Sequence, residues 1–174
     1  PRFDEMIQPT ILDPQDPYQF KIVDGHLPFN FVSPGRASMA SDVIFEPAPG
    51  GGPRLSVMFM TGPNARGKST ILRMVAVNSM LANIGARVPA KQMIATPTQL
   101  LTNMRTKDSV RLDESSFRAE MNRLAQLTAK AKAYPHNLWI VDEMALGTSV
   151  IEQHAIEEAF VGWLINNLDG TSRD

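Results

Sequence analysis

Apolar residues recur at helical spacing over three stretches of the chain. Residues 69–84 carry them on nearly every face, as a helix buried in a core would. Phe117, Met121, Leu124 and Leu127 mark one face of a helix over residues 115–133, which Pro135 ends. Ile156, Phe160, Trp163 and Leu164 do the same over residues 152–168, before Gly170. Short apolar runs bounded by turn residues predict strands at 20–23, 42–45, 55–60, 99–104 and 138–141. Gly85 is a natural C-cap for the first helix and Pro89 a stop. Strand and helix alternate from residue 55 onward, which predicts an α/β core around a mainly parallel sheet flanked by helices. Residues 1–54 hold most of the prolines and a Pro-Gly-Gly-Gly-Pro turn over 49–53. They are expected to form a β-rich N-terminal part joined to the core of residues 55–174, not a domain of their own.

A chain of 174 residues with 43% hydrophobic content can bury one real core. No apolar run is long enough to cross a bilayer and the first residues lack the features of a signal peptide, so no membrane contact and an intracellular setting are expected. The absence of cysteine excludes disulfides and thiolate metal sites. A net charge of -1 argues against a nucleic-acid surface spread over this chain, since phosphate contacts need clustered Lys and Arg. Any DNA contact is expected from domains outside it. The chain starts without Met and stops in the polar tail 169–174 just after a helix, which reads as a fragment of a longer protein lacking the C-terminal part of the domain.

Between the predicted strand at 55–60 and the helix at 69–84 the chain spells G-x-x-x-x-G-K-S, a phosphate-binding loop. Gly62 and Gly67 permit turns closed to residues with a side chain, so consecutive N–H groups can converge on phosphates near the positive end of a helix dipole. Lys68 adds a full charge at the β/γ-phosphates and the Ser69 hydroxyl can ligate Mg²⁺. Gly62, Pro63, Asn64, Ala65, Arg66, Gly67, Lys68, Ser69 and Thr70 form the candidate nucleotide-binding segment. Leu138-Trp139-Ile140-Val141-Asp142-Glu143 is an apolar strand ending in two acids. Alone, that ending is more often a solvated strand end. Paired with the Lys68 loop, it reads as the second half of the site, because ligands of open α/β sheets bind at such edges. Asp142 would hold the Mg²⁺ shell, and Glu143 would orient or deprotonate the water that attacks the γ-phosphate.

Thr61-Gly62-Pro63-Asn64 leading into Gly67-Lys68-Ser69-Thr70, then Ile84-Gly85-Ala86-Arg87-Val88-Pro89-Ala90, then Asp142-Glu143 followed by Gly147-Thr148-Ser149, resembles the ATPase domain of the MutS family of DNA mismatch-repair proteins. The resemblance covers roughly residues 40–168. It implies an ABC-like P-loop nucleoside triphosphate hydrolase. It also implies that Asn64, Gly67, Lys68, Ser69 and Thr70 bind ATP and Mg²⁺, with Asp142 and Glu143 as the metal-binding and catalytic acids. Ser115-Ser116-Phe117 with Glu120-Met121 resembles the family's Ser-Thr-Phe-x-x-Glu-Met segment, which makes Ser115 a candidate for reaching the nucleotide of a partner subunit; a Ser at that place also suits a helix N-cap. A homo- or heterodimer, DNA bound elsewhere in the protein and a MutL-like partner belong to the same implication. So does the compartment, cytoplasmic in a bacterium and nuclear or organellar in a eukaryote.

The chain departs from the family at several places. Ala65-Arg66 stands where the family usually has Met-Gly, and Ala145-Leu146 where it has Gly-Arg. Gln153 replaces the glycine that ends the signature, and Asp113 the glycine before the Ser-Thr pair. Ser41-Asp42-Val43-Ile44-Phe45 resembles the family's Asn-Asp segment, but Ser38 replaces the aromatic that stacks on adenine, leaving Phe31 or Met39 as substitutes. The family's switch histidine would follow Leu168, past the end of this chain; His26, His136 and His154 are expected at the surface. Two other readings stand beside the mismatch-repair ATPase: a MutS relative acting in recombination or on branched DNA, and a non-hydrolysing, nucleotide-dependent dimerisation module.

Overall fold

The computed structural model describes residues 6–28, 40–46, 58, 60, 67–104, 114–134, 136–145 and 148–168. Its elements run β1 (Thr10–Ile11), β2 (Phe20–Gly25), β3 (Ser41–Phe45), α1 (Lys68–Asn83), β4 (Gln92–Ala95), β5 (Gln99–Asn103), α2 (Glu114–Ala131), β6 (Asn137–Val141) and α3 (Val150–Leu168). The chain divides into two compact units, residues 1–100 and 101–174.

In the first unit four strands pair in the order β1-β4-β2-β3. β4 lies parallel to β1 and antiparallel to β2, whose other edge pairs antiparallel with β3. The α/β class holds, and this four-stranded sheet is mixed: within it the parallel arrangement expected from the alternation is seen in the β1–β4 pair, while its other two pairs are antiparallel. The reason is that α1 is followed by two strands, and the first of them returns to the N-terminal β-rich part. Phe20 opposes Ala95 and Ile22 opposes Met93, and all four are buried. The alternation along β2 thus sends one side chain in two to the core. Neither β1 nor β4 was expected from the apolar pattern. The strand predicted over 55–60 lies, apart from Met58 and Met60, outside the described residues.

α1 buries Met74, Val75, Ala76 and Ala82 together with the polar Asn78 and Ser79. Asn78, fully buried, is held because its Nδ2 donates to the carbonyls of His26 at 3.0 Å and Met74 at 2.8 Å, tying the helix to the turn after β2. Asn83 Nδ2 donates to the Thr98 carbonyl at 2.7 Å, which anchors the other end. The helix closes at Gly85 (φ +70°), where the Gly85 N–H reaches the Ala82 carbonyl and the Ala86 N–H the Leu81 carbonyl. These are the paired bonds of a Schellman cap, and a side chain at this left-handed position would cost about 1 kcal/mol. His26 is not the surface residue expected: its side chain is only 16% exposed, with Nε2 3.5 Å from Asp24 Oδ1.

In the second unit β5 pairs with β6. Leu124, Met144 and Ala145 form a buried cluster against which Phe117, Met121, Val141, Ile156 and Phe160 pack. The helical spacing of Phe117, Met121 and Leu124 therefore marks the inward face of α2, and Ile156 with Phe160 that of α3. Trp139 meets Phe160 edge to face, ring centroids 5.4 Å apart. Asn137 Nδ2 donates to the carbonyls of Ala131 and Tyr134, both at 3.0 Å, satisfying the C-terminal end of α2.

α3 begins two residues before the predicted 152 because Ser149 and Glu152 form a capping box. The Ser149 N–H donates to Glu152 Oε2 at 3.1 Å and the Glu152 N–H to Ser149 Oγ at 3.4 Å, while the hydroxyls of Thr148 and Ser149 also donate to Oε2. The Thr148 hydroxyl, and after it Ser149, hold the Glu152 carboxyl below its ordinary value of 4.5. A carboxylate whose folded pKa is depressed contributes stability above its unfolded pKa and loses it as pH falls through the folded value. Glu152→Ala should accordingly destabilise the chain at pH 7, and its deficit relative to wild type should shrink below about pH 4. Urea midpoints of the two proteins across that range provide the check; a deficit that stays constant would mean the charged cap is not the cause.

Candidate functional site

The phosphate-loop residues that are described gather at the start of α1. Gly67 is its N-cap with φ +93° and ψ 3°, a left-handed conformation that glycine adopts without penalty. Lys68 opens the helix, Ser69 and Thr70 follow in its first turn, and Lys68 and Ser69 are half-buried. The Ile71 N–H returns to the Gly67 carbonyl at 2.9 Å, so regular helical bonding begins at the glycine. The cap carries no side-chain hydrogen bond and the first turn no acidic residue. The positive end of this helix dipole is thus not neutralised by a carboxylate of its own, the condition that suits a bound anion. Gly62, Pro63, Asn64, Ala65 and Arg66 lie outside the described residues.

The two acids belong to the second unit. Asp142 directly follows β6, half-buried, and its N–H donates to the Asn103 carbonyl at 3.0 Å. Glu143 is exposed and has φ +53°; Ala145, two residues on, has φ +55° and is fully buried. Each non-glycine residue in the left-handed region costs on the order of 1 kcal/mol, so this turn stores strain that its surroundings must hold. The Gly-to-Ala departure noted at position 145 falls on one of the two strained positions. Glu120 takes part in the holding: its Oε1 accepts the Ala145 N–H at 3.2 Å, and the same oxygen accepts from Asn103 Nδ2 at 3.1 Å. In the sequence Glu120 stands in a motif without a role of its own and Asn103 carries no signal, because neither a tertiary bond nor a left-handed Glu or Ala has a local signature.

Ser115 is the second residue of α2, in the helix that also carries Glu120. Asp42 lies on β3, and its Oδ1 accepts the Asp24 N–H at 2.7 Å at a bulge of β2, where Asp24 itself has φ +51°. Lys91 Nζ, 2.8 Å from Asp24 Oδ2, holds that carboxyl below its ordinary range. Asp42 thus buttresses a turn of the N-terminal sheet. Ser38, Phe31 and Met39, named for the adenine position, lie outside the described residues, as do Leu146 and Gly147.

Ser69 in the first unit and Asp142 in the second each carry a hard oxygen donor of the kind Mg²⁺ prefers. Among the described residues no group of three or more His, Cys, Asp or Glu could hold a metal ion by itself. A Mg²⁺ carried by a nucleotide needs no such cage, since it takes one or two protein ligands and completes its shell with phosphate oxygens and water. Among the described residues no helix is long and apolar enough to cross a membrane.

A family model described as MutS domain V matches residues 58–172. The DNA mismatch repair protein MutS of Chloroflexus aurantiacus is 32% identical over 76% of this chain and 14% of its own length. The DNA mismatch repair protein msh-3 of Neurospora crassa is 33% identical over 83% of this chain and 13% of its own. The DNA mismatch repair protein MSH6 of Arabidopsis thaliana is 33% identical over 68% of this chain and 9% of its own. The chain therefore spans 14% or less of the length of these relatives.

Proposed function

The chain belongs to the MutS domain V family, and on that premise we propose that it binds and hydrolyses ATP as the ABC-like P-loop ATPase domain of a mismatch-repair protein. The observation that carries this reading is the G-x-x-x-x-G-K-S loop ending in a left-handed Gly67 that caps α1 immediately before Lys68. In the proposed site the loop from Gly62 to Thr70 wraps the triphosphate and Lys68 neutralises the β/γ-phosphates. Ser69 and Asp142 would hold Mg²⁺, which when bound spreads the charge that develops on the transferred phosphoryl group. Glu143 orients the attacking water and takes its proton. Ser115 acts on the nucleotide of a second subunit, so the working state is a homo- or heterodimer. DNA binding and a MutL-like partner are assigned to the whole MutS-type protein, inside the cell, with the nucleotide state coupled to DNA binding.

A site completed in trans makes turnover depend on association. Phosphate release per chain should therefore climb with protein concentration, in step with dimer formation followed by sizing chromatography. Fast turnover by a monomer, independent of concentration, would contradict the role given to Ser115. Failure of any turnover while ATP still binds would favour the non-hydrolysing module, for which the altered Ala145-Leu146 pair is the motivating feature.

A further inference from the structure

We propose that Glu120 is a positioning residue whose carboxylate fixes the strained turn Asp142-Glu143-Met144-Ala145 and thereby aims Glu143. This rests on the reading of Glu143 as the catalytic base. The turn is pinned at both ends by one small network. At its start the Asp142 N–H donates to the Asn103 carbonyl at 3.0 Å. At its end the Ala145 N–H donates to Glu120 Oε1 at 3.2 Å, and the same oxygen accepts from Asn103 Nδ2 at 3.1 Å. The bonds close a ring that runs from Asn103 through the turn to Glu120 and back to Asn103, with Glu143 held between the fixed ends.

The position of the ring explains why Glu120 matters to it. Ala145 is fully buried and Asn103 is 6% exposed, so water does not readily replace the carboxylate as acceptor for their N–H groups. Loss of that acceptor leaves the buried Ala145 N–H without its partner and weakens the hold on the left-handed φ values of +53° at Glu143 and +55° at Ala145, so the turn relaxes toward ordinary backbone. Glu143 is exposed, so its aim depends chiefly on the backbone beneath it. Glu120 also lies on the helix whose first turn carries Ser115, which ties the acidic turn to that segment.

The requirement is reach, not charge, and two substitutions separate these. Glu120→Gln keeps an oxygen at the same distance that can accept both bonds, whereas Glu120→Asp keeps the charge but falls one methylene short. In the full chain, Glu120→Asp should lower kcat by about tenfold or more with KM within about twofold, and Glu120→Gln should keep kcat within about threefold. Amide hydrogen exchange at Ala145 should speed up by about tenfold or more in Glu120→Asp and stay protected in Glu120→Gln. Full activity in Glu120→Asp with loss in Glu120→Gln would overturn the proposal, as would unchanged exchange at Ala145. If the wild-type chain turns over no ATP, the hydrolytic reading fails by itself, and the exchange measurements alone decide whether Glu120 holds the turn.

Discussion

Replacing Lys68 by alanine should weaken Mg²⁺-ATP binding by about a hundredfold, since a charge-assisted bond to phosphate contributes about 1.5–3 kcal/mol, or roughly a factor of ten to a hundred and more. The upper part of that range is expected because Lys68 is half-buried and would face two phosphates from the first residue of α1, beside the positive end of the helix dipole. The fold should survive. The helix is anchored by Met74, Val75, Ala82 and the bonds of Asn78 and Asn83, all beyond the first turn. Isothermal titration, with circular dichroism to verify the helix content, makes the measurement. Unchanged affinity would remove the phosphate-loop assignment.

Glu143→Gln should separate binding from chemistry. Glutamine has the same shape and meets the same left-handed backbone, and the position is exposed, so neither core packing nor the cost of the turn changes. What disappears is the proton acceptor, and losing a positioned general base slows hydrolysis by on the order of a hundredfold or more. Nucleotide affinity should stay within a few-fold of wild type, because the contacts at Lys68 and Ser69 are untouched. Equal phosphate release by the two proteins would move the catalytic role to another residue.

The elements that could be read from sequence are those whose signal is local. α1, α2 and α3 announce themselves by apolar spacing, and Gly85 by the residue type its left-handed cap demands. β4 did not, because a strand of four residues gives no period to count, and what makes Gln92–Ala95 a strand is pairing with β2 and β1, far away in the chain. The same distance hides the sheet order. In the candidate site, Gly67 was legible because glycine is the residue its φ of +93° selects. Glu143 and Ala145 were not, since neither residue type favours the left-handed region and what helps hold them there, the Glu120 and Asn103 contacts, comes from distant parts of the chain. The Ser149–Glu152 cap is a different case: S-x-x-E stands in the sequence as a helix-start signal, and the apolar spacing that begins at Ile156 drew the predicted boundary too late.

Because the proposed loop and Lys68 attract the β- and γ-phosphates, and the base of the nucleotide contributes less, affinity should depend on the length of the phosphate chain. Titration of the wild-type chain with ATP, ADP and AMP at fixed Mg²⁺ tests this directly. The expected result is saturable binding of ATP and ADP, with AMP weaker by about a hundredfold or more because it lacks the β-phosphate that Lys68 would meet. Equal affinities for all three, or no saturation by ATP, would contradict an ATP site at Gly67 and Lys68.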